Sequence, residues 1–218
     1  MKKVEVILKV TEACNLRCKY CYNGIDSYTK GVLSIERFEK LLKVLSTGYD
    51  LIHIIWHGGE PLYAGIDYFR EAMDVEKKVN FNQSVVIENS IQTNGTLITN
   101  EWINFFKEHN IRVGISFDGI DNDKYRQHSK KVLKAMKMLE TAGLRFACNA
   151  VVADDEYNLI ENYHYFKSLG VPFDFSKVLP EGVAKDMKSL SATTYAEGLI
   201  KLFDEWIYDT NGVSIRTF

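Results

Sequence analysis

The chain has 218 residues, 46% of them hydrophobic and 26% charged, with a formal net charge of −2. That length suffices for one sizeable core, and the composition is that of an ordinary globular protein rather than a disordered one. The near-neutral charge argues against a nucleic-acid partner held by bulk electrostatics. No apolar run reaches membrane-spanning length, and no apolar signal segment follows Met1; with unpaired, ligand-type cysteines this points to the cytoplasm.

Apolar, strand-like runs alternate with amphipathic stretches along the whole chain. A strand is predicted over residues 4–10, leading into a cysteine-rich loop. Ser34 is an N-cap candidate for a helix with Phe38, Leu41, Leu42 and Leu45 on its apolar face. A second strand spans 51–56 and ends in His57-Gly58-Gly59-Glu60-Pro61, followed by a helix over 66–79. The third strand, 85–91, runs into Gln92-Thr93-Asn94-Gly95. Thr99 caps the next helix, which buries Trp102, Ile103, Phe105 and Phe106. The fourth strand, 111–117, ends at Asp118-Gly119. A helix over 132–142 stops at Gly143. Strand 146–152, helix 160–169 stopped by Gly170, strand 173–179 and helix 193–208 complete the series. Six strand–helix units in strict alternation imply a parallel sheet with right-handed crossovers, in the form of a partial (β/α)6 barrel. Residues 1–218 read as one core domain.

Polar and glycine-rich clusters follow strands one to four, the end at which parallel α/β folds place their chemistry. The strands also alternate. Val113, Ile115 and Phe117 interleave with Arg112, Gly114, Ser116 and Asp118. Ile87 and Ile91 interleave with Glu88, Ser90, Gln92 and Asn94. Phe146, Cys148, Ala150 and Val152 interleave with Arg145 and Asn149. One face packs on helices, and the other is polar enough to hold cofactor and substrate inside the barrel.

Three of the four cysteines, Cys14, Cys18 and Cys21, sit within eight residues. Three thiols are an odd number for disulfides, and Cys148 lies far away in an apolar run, where it reads as a small buried residue. Three thiolates on one tight loop suit a metal or an iron–sulfur cluster. A full protein-bound cluster takes four cysteines, so one iron stays open to an outside ligand. Zinc is the competing reading, in a closed site of four ligands or a catalytic site of three plus water.

This Cys-x3-Cys-x2-Cys spacing, with Tyr20 before the last cysteine, resembles the radical S-adenosylmethionine enzymes. The resemblance implies one 4Fe-4S cluster on Cys14, Cys18 and Cys21, with S-adenosylmethionine chelating the open iron. One electron then cleaves the sulfonium to methionine and a 5′-deoxyadenosyl radical, which abstracts a substrate hydrogen. Gly58-Gly59-Glu60-Pro61 is similar to the family motif that holds the methionine amino group, the glycines giving close backbone approach. By the same resemblance Tyr20 belongs to the cofactor site, Asn94 and Ser116 face the ribose or carboxylate, and Arg126 reaches the carboxylate. A solvated helix cation is the other reading of Arg126.

The ends of strands three and four are most similar to the peptide- and protein-modifying branch, which includes anaerobic sulfatase maturases and ribosomal-peptide maturases. A peptide or protein substrate is therefore expected, with a crosslink or side-chain oxidation as outcome. The run His57–Leu62 favours peptide maturation over the formylglycine-forming sulfatase maturases. A non-catalytic iron–sulfur or zinc scaffold is the rival from another class. His57 faces the cluster or is a structural histidine. His53, Glu5, Lys9, Glu88 and Asn149 are lumen candidates for substrate contact. Lys9, Arg17, Lys19 and Lys30 put positive charge near the cysteine loop. They form either a docking rim for an acidic flavodoxin or ferredoxin or a plain solvated rim.

Members of that branch continue into a cysteine-rich C-terminal domain. Residues 213–218 alternate apolar and polar and read as the start of a further element without its partner. The expectation is a radical core, naturally minimal or part of a longer protein, with no second cluster.

Overall fold

The computed structural model describes residues 1–23, 31–83, 85–188 and 190–218; Lys30 of the basic rim lies outside them. Strand β1 (Lys3–Thr11) is followed by α1 (Ile35–Ser46), β2 (Leu51–Gly58), α2 (Ile66–Gln83), β3 (Val86–Thr93), α3 (Asn100–Glu108) and β4 (Arg112–Ser116). Then come α4 (Asn122–Tyr125), α5 (Ser129–Thr141), β5 (Phe146–Val152), α6 (Leu159–Leu169), β6 (Phe173–Lys177) and α7 (Ala192–Trp206). The six strands form one open parallel sheet in the order β1-β2-β3-β4-β5-β6. Each β-strand hands over to a helix before the next, which is the partial barrel that the alternation implies.

The local signals act as read. Ser34 accepts the N–H of Arg37 at 3.3 Å, and Thr99 accepts that of Trp102 at 3.4 Å, each satisfying an orphan donor of a first helical turn. Gly170 ends α6 at φ +67°, where a side chain would be strained. The core lies between sheet and helices, with Phe38, Trp56, Phe69, Phe106 and Ile115 at 0% exposure. Leu42 is fully buried, whereas Leu41 and Leu45 are half-buried at the edge of α1.

The opposite face of the sheet is polar along its length. Glu5, His53, Ser90, Gln92, Asn149 and Ser176 line a cavity of about 910 Å³ there. His53 bridges Glu5 and Ser90 at 3.0 Å on each ring nitrogen, so this histidine is bonded to two strands. Cys148 faces the helix side, is 3% exposed, and burial pushes its thiol pKa upward.

Several boundaries differ from expectation: β2 runs on to Gly58, α2 runs on to Gln83, α5 begins at Ser129 and β6 ends at Lys177. The third strand runs on through Gln92 and Thr93, because both still pair with β4. Residues 213–218 do have a partner. The Phe173 N–H donates to the Ser214 carbonyl at 3.1 Å, and the Arg216 N–H to the Phe173 carbonyl at 3.2 Å. Ile215 is thereby buried to 2% exposure. The tail lies along the outer edge of β6, an edge that would otherwise present unpaired backbone groups.

A second buried polar chain ties α2 to the sheet. The Trp56 indole N–H donates to Asn89 Oδ1 at 2.7 Å, and Asn89 Nδ2 donates to Glu76 Oε2 at 2.6 Å. Glu76 Oε1 is buried with no partner. Burial pushes the Glu76 carboxyl up to about 8 from 4.5, against the hydrogen bond from Asn89. The folded state therefore holds a proton that the unfolded chain has released, so this contribution is complete below pH 4.5 and is lost as pH rises through 8. Glu76→Gln keeps an acceptor for Asn89 and carries no charge. It should raise the melting temperature at pH 9 by about 2–4 °C per kcal/mol relieved, with little effect at pH 5. Thermal melts of both proteins across that range check this, and parallel pH profiles would contradict it.

Candidate functional site

The strand ends determine where the cysteine loop lies. β1 slips register between Lys9 and Thr11, a bulge that turns the chain across the top of the sheet. From there the loop is held by backbone bonds. Gly59 N–H donates to the Thr11 carbonyl and Glu60 N–H to the Ala13 carbonyl, both at 2.9 Å. Lys19 N–H reaches the Tyr125 carbonyl at 2.9 Å, and Val183 N–H reaches that of Cys21 at 2.8 Å. A Cβ at Gly58 would lie 2.0 Å from the Thr11 carbonyl oxygen, and one at Gly59 2.4 Å from those of Glu12 and Ala13. Both positions need glycine because the loop backbone lies directly on them, and Gly58 also sits at φ +131°.

Cys14, Cys18 and Cys21 are free, half-buried thiols lining one cavity of about 270 Å³ at the carboxyl ends of the strands. The Leu16 N–H points to Cys14 Sγ at 3.4 Å, and Arg17 closes the turn by donating to the Cys14 and Leu16 carbonyls, each at 2.9 Å. Burial pushes the Cys14 thiol up to about 11 and raises that of Cys18 as well. Thiols in such a place become thiolates when a metal charge compensates them. Among the described residues, no three His, Cys, Asp or Glu side chains gather closely enough to share a single ion. Three free thiols spread around a cavity, with the cavity itself beside them, fit a cluster with one outside ligand better than a mononuclear zinc.

Nine of the ten residues singled out from the sequence line this cavity: Cys14, Cys18, Cys21, Tyr20, Gly58, Gly59, Asn94, Ser116 and Arg126. The tenth, Glu60, lies behind the wall at 0% exposure. Its Oε1 accepts from Leu62 N–H at 3.0 Å and Thr93 Oγ1 at 2.7 Å, and its Oε2 from Asn94 N–H at 2.7 Å. Burial raises its pKa, and those three donors oppose the rise. In this geometry the carboxylate is occupied by the protein, and it ties the loop after β2 to the end of β3.

Asn94 is held in turn. Its Oδ1 accepts from Thr96 N–H at 2.9 Å, and its Nδ2 donates to Asn15 Oδ1 at 2.9 Å. Asn15 Nδ2 then donates to Thr96 Oγ1 at 2.8 Å, so a residue between Cys14 and Cys18 is tied into the same ring. Ser116 Oγ accepts from Gln92 Nε2 at 2.9 Å, across neighbouring strands. His57 lines the cavity with Nδ1 accepting the Gly58 N–H at 2.8 Å, and burial lowers its pKa. Lys9, an exposed residue, donates to Asn23 Oδ1 at 3.4 Å and lies 4.8 Å from the centroid of the Tyr22 ring. Lys177 of β6 also lines the cavity and escaped sequence reasoning. So did the bonded roles of Asp118, Asn15, Thr93 and Thr96, whose partners are far apart in sequence.

Comparison with known proteins follows the same lines. The family model described as the radical SAM superfamily matches residues 8–180. A serine-type anaerobic sulfatase-maturating enzyme of Bacteroides thetaiotaomicron is 32% identical, covering 97% of this chain and 59% of its own. A cysteine-type anaerobic sulfatase-maturating enzyme of Clostridium novyi is 32% identical, covering 100% of this chain and 64% of its own. The chain thus spans roughly three-fifths of the length of these relatives. Among solved structures, anSMEcpe with bound AdoMet superposes with TM-score 0.85 at 29% identity, over 99% of this chain and 64% of that one. Streptococcus suis SuiB bound to its precursor peptide SuiA has TM-score 0.74 at 15% identity, over 98% and 48%, a likeness of fold alone. A 4Fe-4S cluster and S-adenosylmethionine are the cofactors of the matched family. By the match over residues 8–180, and with this thiol-lined cavity at its strand ends, the chain belongs to the radical SAM superfamily.

Proposed function

We propose that the chain is the cofactor-holding core of an enzyme that cleaves S-adenosylmethionine reductively and modifies a peptide or protein side chain. The observation that carries this reading is the convergence of three free thiols with the glycine pair, Asn94, Ser116 and Arg126 on one cavity. Bound there, the cluster supplies the electron for cleavage of the sulfonium bond. Cys14, Cys18 and Cys21 would hold it, and S-adenosylmethionine would bind in the cavity beside them. Gly58 and Gly59 present bare backbone to the methionine end of that cofactor, and the Arg126 cation complements its carboxylate. Asn94 and Ser116 offer amide and hydroxyl groups to its polar atoms. Val178, 3% exposed, forms an apolar part of the wall that would limit water at the reacting centre.

For the substrate, the relatives at 32% identity are named for sulfatase maturation, whereas the likeness to SuiB is one of fold. Oxidation of a cysteine or serine side chain in a protein substrate is the outcome these relatives support. A small donor of the flavodoxin or ferredoxin kind would supply the electron.

Anaerobic reconstitution of the full chain with iron and sulfide tests the reading. The product should absorb as an iron–sulfur protein and release methionine and 5′-deoxyadenosine from S-adenosylmethionine under dithionite; a protein that takes up zinc alone refutes it. Cys14→Ala, Cys18→Ala and Cys21→Ala should each lose the cluster iron, because two remaining thiolates cannot hold three protein-ligated irons. Cys148→Ala should keep it, and an intact cluster in Cys18→Ala would overturn the ligand assignment.

Glu60→Ala leaves three buried donors without an acceptor. Each such donor costs about 1–3 kcal/mol, so the variant should melt several degrees lower even without cofactor. A melting temperature equal to wild type would show that the three bonds to Glu60 do not hold the wall together.

A further inference from the structure

Below the cysteine loop, Arg126 lies in a chain of hydrogen bonds that the proposed chemistry does not use. Arg126 Nη1 donates to the Tyr20 hydroxyl at 2.9 Å. A guanidinium has no acceptor, so the phenol oxygen must accept here and give its own proton elsewhere. It gives it to Asp118 Oδ2. The other carboxylate oxygen, Oδ1, accepts the Val151 N–H at 3.0 Å, which fixes the carboxylate to β5. Asp118 is 0% and Tyr20 6% exposed, so water does not compete for these bonds. The Arg126 N–H closes on the Asn122 carbonyl at 2.7 Å, and the guanidinium carbon lies 5.8 Å from the Tyr20 ring centroid. The backbone of Arg126 is thus fixed by Asn122, and its guanidinium is held by the hydroxyl and ring of Tyr20.

That place is next to a cluster ligand. Arg126 and Cys18 line the same cavity. The neighbours of the two residues in the chain are also joined, the Lys19 N–H donating to the Tyr125 carbonyl at 2.9 Å. A fixed cation beside one thiolate favours the reduced cluster, which carries one more negative charge.

We propose that Tyr20 and Asp118 are positioning residues, whose hydroxyl and carboxylate hold the Arg126 guanidinium beside Cys18 so that its charge raises the reduction potential of the bound cluster. The proposal rests on the cluster assignment above and gives the aromatic residue of the cysteine motif a role for its hydroxyl as well as its ring. Tyr20→Phe removes the hydroxyl and keeps the ring.

The test is a potentiometric titration of the reconstituted full-length chain, followed by the electron paramagnetic resonance signal of the reduced cluster. Wild type, Tyr20→Phe, Asp118→Asn, Arg126→Gln and the double variant Tyr20→Phe/Arg126→Gln are compared. Arg126→Gln should lower the reduction equilibrium constant about tenfold, 59 mV for one electron. Tyr20→Phe should move it part of the way in the same direction, and Asp118→Asn, which also removes a negative charge near the cluster, should lower it less than Tyr20→Phe does. In the Arg126→Gln background, Tyr20→Phe should add nothing, because its effect runs through the guanidinium. A purely structural tyrosine would give additive shifts. A wild-type midpoint in Tyr20→Phe, additive shifts, or loss of iron from both Tyr20→Phe and Asp118→Asn each overturns the proposal. A wild-type protein that holds no cluster overturns the assignment beneath it instead.

Discussion

The site depends on a backbone contact. The loop that carries the thiols has no regular structure of its own, and it is laid against Gly58 and Gly59 so closely that a Cβ at either would overlap its carbonyl oxygens. Two N–H groups, of Gly59 and Glu60, fasten it there. Glu60 then fastens the glycine loop to β3 through Asn94, and Asn94 is tied back to the thiol loop through Asn15. Three strand ends are thereby locked to one another, and the positions of the three thiols follow. A buried carboxylate with three donors is well suited to such a joint, since charge-assisted bonds are short and strong and a missing one leaves a costly orphan.

Electrostatics divides the site into two depths. Behind the wall, carboxylates are satisfied by protein donors: Glu60 by the β3 end, Asp118 by Tyr20 and Val151. At the cavity surface the side chains that the buried acids do not consume are Arg126 and Lys177, with the amide and hydroxyl groups of Asn94 and Ser116. A ligand arriving at the cavity meets two cations, the Glu12 carboxylate and neutral dipoles, while Glu60 and Asp118 lie underneath. That polarity suits a cofactor that brings its own carboxylate and a cluster whose thiolates and reduced state are negative.

The sequence shows the parts of this design that are local. Cysteine spacing, the glycine pair after an apolar run, and a period of two in the strands each depend on neighbours in the chain. They suffice for the barrel, the loop and nine of the cavity residues. What stays hidden is bonding between distant residues. Nothing near Glu60 announces that Thr93 and Asn94 will donate to its two oxygens. Tyr20 reads as a ring in a motif, and its hydroxyl partners lie about a hundred residues away at Asp118 and Arg126. Residues 213–218 look unpartnered because β6, which they pair with, is itself defined only once the sheet has formed.

In the proposed enzyme one iron of the cluster is left open by the protein and taken by S-adenosylmethionine. Mössbauer spectra of the 57Fe-reconstituted chain, recorded with and without S-adenosylmethionine, address that directly. About one of the four irons should change its isomer shift and quadrupole splitting on addition, with the other three unchanged. Four irons that do not respond, or iron that is not held as a cluster at all, would contradict it.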